Sequence, residues 1–172
     1  MRSPWDEVQQ LRSRGEERGS AARLEPCGHD VTQAKCVLTR RKLSMLDHVS
    51  ITVSDMHAAE RFYDAIMKTL DVVKVGSRDD WLGYGERARP DYPDRVYLTI
   101  RKGVRPEEAI GRHWCFKAKW RKQVDAFWGA GIAAGGTNDG APGLRDYHAS
   151  YYAAFLRDPD GNRVEAVCHH PV

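Results

Sequence analysis

Tyr151-Tyr152-Ala153-Ala154-Phe155-Leu156-Arg157-Asp158-Pro159-Asp160-Gly161-Asn162-Arg163-Val164-Glu165-Ala166-Val167 reads as two apolar runs around an Asp-Pro-Asp-Gly turn. Proline presets φ for such a turn, and glycine takes the φ > 0 position that closes it. The stretch predicts a β-hairpin. Glu165 stands inside the second strand, between Val164 and Ala166. A half-buried carboxylate is costly unless it is paired or bound to a metal. Its partner is therefore the question the rest of the chain must answer.

Upstream of the hairpin, His113 to Ala118 predicts a strand. Trp120 to Gly131 predicts a helix with Val124, Phe127 and Trp128 on its apolar stripe, ended by Gly129 and Gly131. Ile132 to Ala134 reads as a short strand, and Gly135 to Gly143 as a loop. The same pattern occurs earlier. Leu46 to Ser54 alternates, with Val49, Ile51 and Val53 on one face and His48, Ser50 and Thr52 on the other. Ser54-Asp55 supplies N-cap chemistry for a helix to about Leu70, striped by Ala59, Phe62, Tyr63 and Ile66. Strands follow near Val72 to Val75, Asp80 to Tyr84 and Arg95 to Arg101.

A shift of 65 residues lays the first half on the second: His48 on His113, Ala59 on Val124, Phe62 on Phe127, Tyr63 on Trp128 and Ala65 on Ala130. A period of this size marks a repeated supersecondary unit. Each unit reads strand, helix, strand, strand, strand. The predicted class is α+β: two paired βαβββ modules forming a cup of curved mixed sheet, with helices on the outer, apolar face.

Bulk composition narrows the function classes. The 172 residues suffice for one domain with a core. A net charge of +3, with much of the excess before residue 44, is too small to imply nucleic acid. No apolar run approaches a membrane span, and the N-terminus lacks the apolar core of a secretory signal. Cys27, Cys36, Cys115 and Cys168 form no dense framework and fit reduced thiols in a cytoplasmic protein better than a disulfide scaffold, so a cytoplasmic location is expected. Cys115 and Cys168 read as small core residues, so a thiol redox role is a poor reading.

Residues 1–44 are rich in Arg, Glu, Gln, Ser and Gly and show no sustained apolar period, which predicts a flexible extension to a domain at 45–172, with Met45 a candidate start. Cys27-Gly28-His29 with Cys36 matches no standard zinc spacing and lacks a fourth ligand.

If Val49, Ile51 and Val53 pack on helices, His48, Ser50 and Thr52 line the opposite side. Alternation puts His113 with Cys115 and Glu165 with Val167 on that side too. Two imidazoles and one carboxylate with open positions make a facial set suited to one divalent ion: Fe, Mn, Zn or Ni. The competing reading pairs Glu165 with Arg101 or Arg163 in a structural ion pair.

These features resemble the vicinal oxygen chelate superfamily of glyoxalases, bleomycin and fosfomycin resistance proteins and extradiol dioxygenases. The carriers are Leu46-Asp47-His48-Val49, the Phe62-Tyr63 pair, Arg112-His113-Trp114-Cys115-Phe116, and Asp158-Pro159-Asp160-Gly161-Asn162-Arg163-Val164-Glu165. The resemblance covers about Met45 to Val172. It implies a homodimer acting on a small molecule, with metal ligands carried over by position to His48, His113 and Glu165. A fourth ligand place falls at Tyr97 or Thr99, neither of them a good ligand, and both become candidates for substrate contact. The extradiol signature keeps a histidine (His148), the Asp-Pro-x-Gly turn and the glutamate, but its tyrosine is Phe155 here, unless Tyr151 or Tyr152 substitutes.

The leading expectation is a metal-dependent enzyme, of lyase, isomerase or dioxygenase type, on a substrate with vicinal oxygens. His148 is the candidate acid or base, since imidazole exchanges protons near neutral pH. Tyr152 is the candidate for orienting substrate and Arg101 for holding an anionic group. The alternative is a binding protein that sequesters a drug or metabolite, with Trp81, Tyr84, Trp114 and Trp120 as candidate aromatic walls.

Overall fold

The computed structural model describes residues 45–109 and 111–171. The predicted extension at 1–44, with Cys27, His29 and Cys36, lies outside the described residues. The element order is β1 (His48–Val53), α1 (Met56–Thr69), β2 (Lys74–Arg78), β3 (Trp81–Gly85), β4 (Tyr97–Lys102), β5 (His113–Lys117), α2 (Arg121–Ala133), β6 (Thr137–Leu144), β7 (Tyr152–Arg157) and β8 (Arg163–Cys168).

The α+β architecture of paired βαβββ modules holds, with the strands distributed over two four-stranded mixed sheets. One sheet runs β1-β4-β3-β2 and the other β5-β8-β7-β6. In each, the first strand pairs in parallel with the last, and the remaining pairs are antiparallel. The registers match: His48 faces Tyr97, and His113 faces Arg163.

The helix-side face of each sheet is apolar. Ile51, Val53, Leu82, Tyr84, Leu98 and Ile100 pack under α1, and Ala154, Leu156, Val164, Ala166 and Cys168 under α2, in one buried core. The repeat seen in sequence occupies equivalent buried places, as Ala59, Phe62, Val124 and Phe127 show. α1 starts where Asp55 accepts a hydrogen bond from Ala58 N at 3.0 Å, satisfying one of the orphan donors of its first turn.

Two expectations in the second module need correcting. Residues 132–134 are no strand, because α2 runs on to Ala133. Gly131 is a packing position instead of a terminator: a Cβ there would lie 2.3 Å from Leu156 Cδ1. The turn after the helix uses Gly135, at φ +97. The glycine-rich stretch that follows is a strand, β6, and not a loop. It lies at the edge of its sheet with two register shifts, where a ladder tolerates Pro142 and glycines.

The hairpin turn binds the two modules together. Asp158, 3% exposed, accepts from Asp160 N at 2.9 Å, Asn162 N at 2.8 Å, Asn162 Nδ2 at 2.9 Å and the Tyr63 hydroxyl at 2.8 Å. Asp160 accepts from Ser54 N and Oγ at 2.7 and 2.5 Å. Asn162 Nδ2 also donates to Thr52 O at 2.9 Å. Three turn side chains thus satisfy backbone and hydroxyl groups at the end of β1 and on α1.

Candidate functional site

Each sheet has a second face, turned away from its helix. On the second sheet the cross-strand pairs Cys115 with Glu165 and Phe155 with Glu165 put Glu165 at the centre of that face. Its side chain is only 2% exposed. Tyr151 donates its hydroxyl proton to Glu165 Oε1 at 2.8 Å, and His113 Nε2 lies 3.2 Å from Glu165 Oε2. Both carboxylate oxygens are therefore engaged, by a phenol and an imidazole. Neither Arg101 nor Arg163 is the ion-pair partner considered from sequence; Arg163 pairs with Asp139 at 3.0 Å.

The electrostatics follow from this arrangement. The hydrogen bond to Glu165 raises His113 above its ordinary value, with partial burial working against it and the carboxylate's charge adding to the rise. Burial and then the Glu165 carboxylate push the Tyr151 hydroxyl well up, so it remains a donor. Desolvation of its sulfur among the neighbouring side chains, and then the same carboxylate, push the Cys115 thiol up, which disfavours the thiolate. Cys115 is not a core residue: it is exposed along this face, while Cys168 is buried.

Around Tyr151 lies an aromatic cluster. Its ring meets Tyr147 at 4.7 Å, His169 at 5.1 Å and His148 at 5.5 Å between centroids. Ser150 N donates to His148 Nδ1 at 3.2 Å. That nitrogen is thereby an acceptor, which leaves Nε2–H to donate to His169 Nδ1 at 2.9 Å.

The first sheet presents a different face. His48 is exposed there and bonded to its neighbour Asp47 at 2.7 Å. Tyr97, Thr99 and Arg101 follow on β4 beside His48, Ser50 and Thr52. Thr99 donates to Leu82 O at 3.3 Å. Tyr97 stacks on Trp81 at 6.3 Å, and Arg101 lines a cavity with Arg78, Asp80, Trp81 and Arg87.

The predicted site residues therefore fall into two groups. His113, Glu165 and, through Tyr151, His148 come together on one sheet. His48, Tyr97, Thr99 and Arg101 share the other. Among the described residues no three His, Cys, Asp or Glu side chains gather as a metal site. Tyr152 sits on the helix side, in phase with Ala154 and Leu156, and donates to Asp125 on α2 at 2.7 Å. Its hydroxyl is thus directed to α2 and not to Glu165, which Tyr151 reaches instead. Of the candidate aromatic walls, Trp81 lies on an open face, whereas Tyr84 is buried and donates to Asp64 on α1 at 2.7 Å. Sequence reading missed His169, whose only signal was its place just beyond the hairpin strand.

His113 and Glu165 fit a divalent ion as neighbouring ligands. Donors about 2.1 Å from a metal stand about 3.0 Å apart at a right angle and about 3.4 Å apart at the tetrahedral angle. The observed 3.2 Å falls between.

A family model described as the Glyoxalase/Bleomycin resistance protein/Dioxygenase superfamily matches residues 45–166. Among solved structures, a glyoxalase/bleomycin resistance protein from Albidiferax ferrireducens is 34% identical, with a TM-score of 0.60 over 74% of this chain and 100% of that one. A glyoxalase/bleomycin resistance protein/dioxygenase family enzyme from Burkholderia phytofirmans is 19% identical, with a TM-score of 0.55 over 72% of this chain and 98% of that one. The fosfomycin resistance protein FosX from Listeria monocytogenes is 16% identical, with a TM-score of 0.54 over 74% and 95%. The latter two show likeness of fold alone. No match is found among curated proteins.

Proposed function

Since the chain belongs to the glyoxalase/bleomycin resistance protein/dioxygenase superfamily, we propose that it is a divalent-metal-dependent enzyme acting on a small molecule with two adjacent oxygens. The observation that carries this reading is the His113 Nε2 to Glu165 Oε2 approach at 3.2 Å, on an otherwise nearly closed carboxylate. His113 and Glu165 of one protomer would hold the ion. His48, on the other sheet, would complete the set from a second protomer, making the working unit a homodimer.

The ion would supply Lewis acidity to the paired oxygens. The chain's own residues do the rest. Tyr151 fixes the Glu165 carboxylate by donating to Oε1. His148, linked to His169, is the proposed acid or base, with Nε2 as the atom that carries the proton. Arg101, Tyr97 and Thr99 are the proposed substrate contacts. No described helix is long and apolar enough to cross a membrane. A cytoplasmic setting is part of the proposal, and the free thiols of Cys115 and Cys168 are consistent with it.

One observation favours the alternative of a binding protein without turnover: Glu165 is already satisfied by Tyr151 and His113 within the chain. Elemental analysis of protein purified without chelator separates the two. The enzyme reading expects about one divalent ion per chain, lost in His113→Ala and Glu165→Gln, in a particle that sediments as a dimer. No ion in the wild type, and none taken up on reconstitution, would overturn it.

A further inference from the structure

The face of the first sheet is built around a flat aromatic floor. Trp81 can lie against the sheet because its neighbours there are glycines. A Cβ on Gly76 would stand 2.5 Å from the indole ring, and one on Gly83 would stand 2.7 Å from it. Tyr97 stacks beside Trp81 with 27° between the rings. Two guanidiniums lie over these rings, Arg87 at 4.2 Å from the Tyr97 centroid and Arg78 at 5.8 Å from that of Trp81. Arg101 enters from β4, directly across from Trp81 on β3.

Arg78, Asp80, Trp81, Arg87 and Arg101 line a cavity of about 370 Å³. Three positive charges face one negative charge. Among the described residues none of the three arginines takes part in an ion pair. A guanidinium stacked on a ring keeps its N–H edge free, and that edge is the part which grips a carboxylate in two-point fashion. The apolar floor and the cationic rim thus ask for the two halves of one molecule. The volume falls within the range of small-ligand sites.

We propose that this cavity binds an aromatic carboxylate, with its ring on Trp81 and its carboxylate between Arg78 and Arg101. The inference deepens the proposed function, resting on its assignment of this face to the substrate, and names the substrate class. Arg101 lies four residues along the strand from the Tyr97 row that pairs with His48, about 13 Å at the rise of a strand. The anionic ring is therefore the remote, recognised end of the molecule, distant from any chemistry at His48.

The test is calorimetric titration with 2-naphthoate, its uncharged amide 2-naphthamide and inorganic phosphate, with and without EDTA. Wild-type protein is expected to bind naphthoate in both buffers, and the amide and phosphate roughly tenfold or more weakly. Trp81 fluorescence should respond to naphthoate, and the Trp81→Phe variant should lose that response. The Arg78→Gln, Arg101→Gln double variant, whose unfolding midpoint reports intact folding, is expected to lose roughly tenfold or more in affinity. Equal binding of acid and amide, phosphate binding as tight as naphthoate, or a double variant that binds as well as wild type would overturn the inference. Binding abolished by EDTA would overturn it too, because the carboxylate would then be held by an ion and not by the arginines. Metal content is measured on the same preparation, so loss of the metal reading and loss of this one are told apart.

Discussion

Thr99 stands on β4 where Glu165 stands on β8. The parallel partner strands set Ser50 beside Thr99 and Cys115 beside Glu165. Both are buried, at 7% and 2% exposure. Thr99 meets its needs locally, through Leu82 O. Glu165 draws on Tyr151 and His113. One skeleton thus carries two chemistries: an acid and imidazole face on the second sheet, and a cationic aromatic face on the first.

Removing the Tyr151 hydroxyl leaves one oxygen of a buried carboxylate without its donor. Tyr151→Phe is expected to cost about 1–3 kcal/mol. A lower urea midpoint at unchanged slope would show it. An unchanged midpoint would mean that solvent replaces the phenol.

His113 is raised by its hydrogen bond to Glu165. Nuclear magnetic resonance titration should place its midpoint above about 6.5, the ordinary value. In Glu165→Gln the midpoint should fall. Because the folded value is the higher one, the pair's contribution to stability is complete below the unfolded value. It is lost as pH rises through the folded one. Stability of wild type relative to Glu165→Gln should therefore decline over that upper window, and a flat difference would contradict the assignment.

Asp158 serves four donors from a position 3% exposed. Truncation to alanine strands them, and about 3 kcal/mol or more should be lost. Tyr63→Phe removes one donor and should cost only about 1 kcal/mol. Chemical denaturation of both variants measures the ratio. Equal losses would mean that the Tyr63 bond accounts for the whole effect and that the three donors within the turn do not depend on the carboxylate.

Two glycines of the second module should respond oppositely to alanine. Gly129 lies in α2 with nothing within 4 Å of an added Cβ, so Gly129→Ala should stabilise by about 0.5–1 kcal/mol through helix propensity. A Cβ on Gly136 would come within 2.9 Å of Gly131 O and 3.0 Å of Arg157 O. Backbone atoms cannot swing aside, and about 1–3 kcal/mol should be lost. Thermal midpoints moving in the same direction would count against these packing assignments.

Strands β1, β3 and β4, the 65-residue repeat and the turn at Asp158 are legible because alternation and turn chemistry are local, whereas β2 lies at Lys74–Arg78, later than the Val72 to Val75 the sequence suggests. β6 was not, because glycines and Pro142 read as a loop until the ring of Phe155 is seen covering Gly140. Gly131 looked like a helix stop because its neighbour Leu156 lies 25 positions away in sequence. Alternation correctly gave the faces of His48, His113 and Glu165, yet it carries no information about which sheet a strand joins. That is why the trio divides. The choice between Tyr151 and Tyr152 turned on parity, and the strand begins at Tyr152, so Tyr151 reaches Glu165 from just outside it.

Each sheet is woven from one unbroken stretch of chain, residues 48–102 and 113–168. Among the described residues no ladder crosses the linker between them. Every strand pairing can therefore form within its own half before the halves meet. The clasp of Tyr63, Ser54 and Thr52 on the Asp158 turn spans 95 to 110 positions of sequence. Contacts of that separation are expected to form in the last step of assembly. Bonds made that late restrain the exit from the native state and leave the approach to it almost untouched. The turn is thus expected to act as a latch on how long the molecule stays folded, more than as a guide to how quickly it gets there, and loosening it should speed unfolding more than it slows folding.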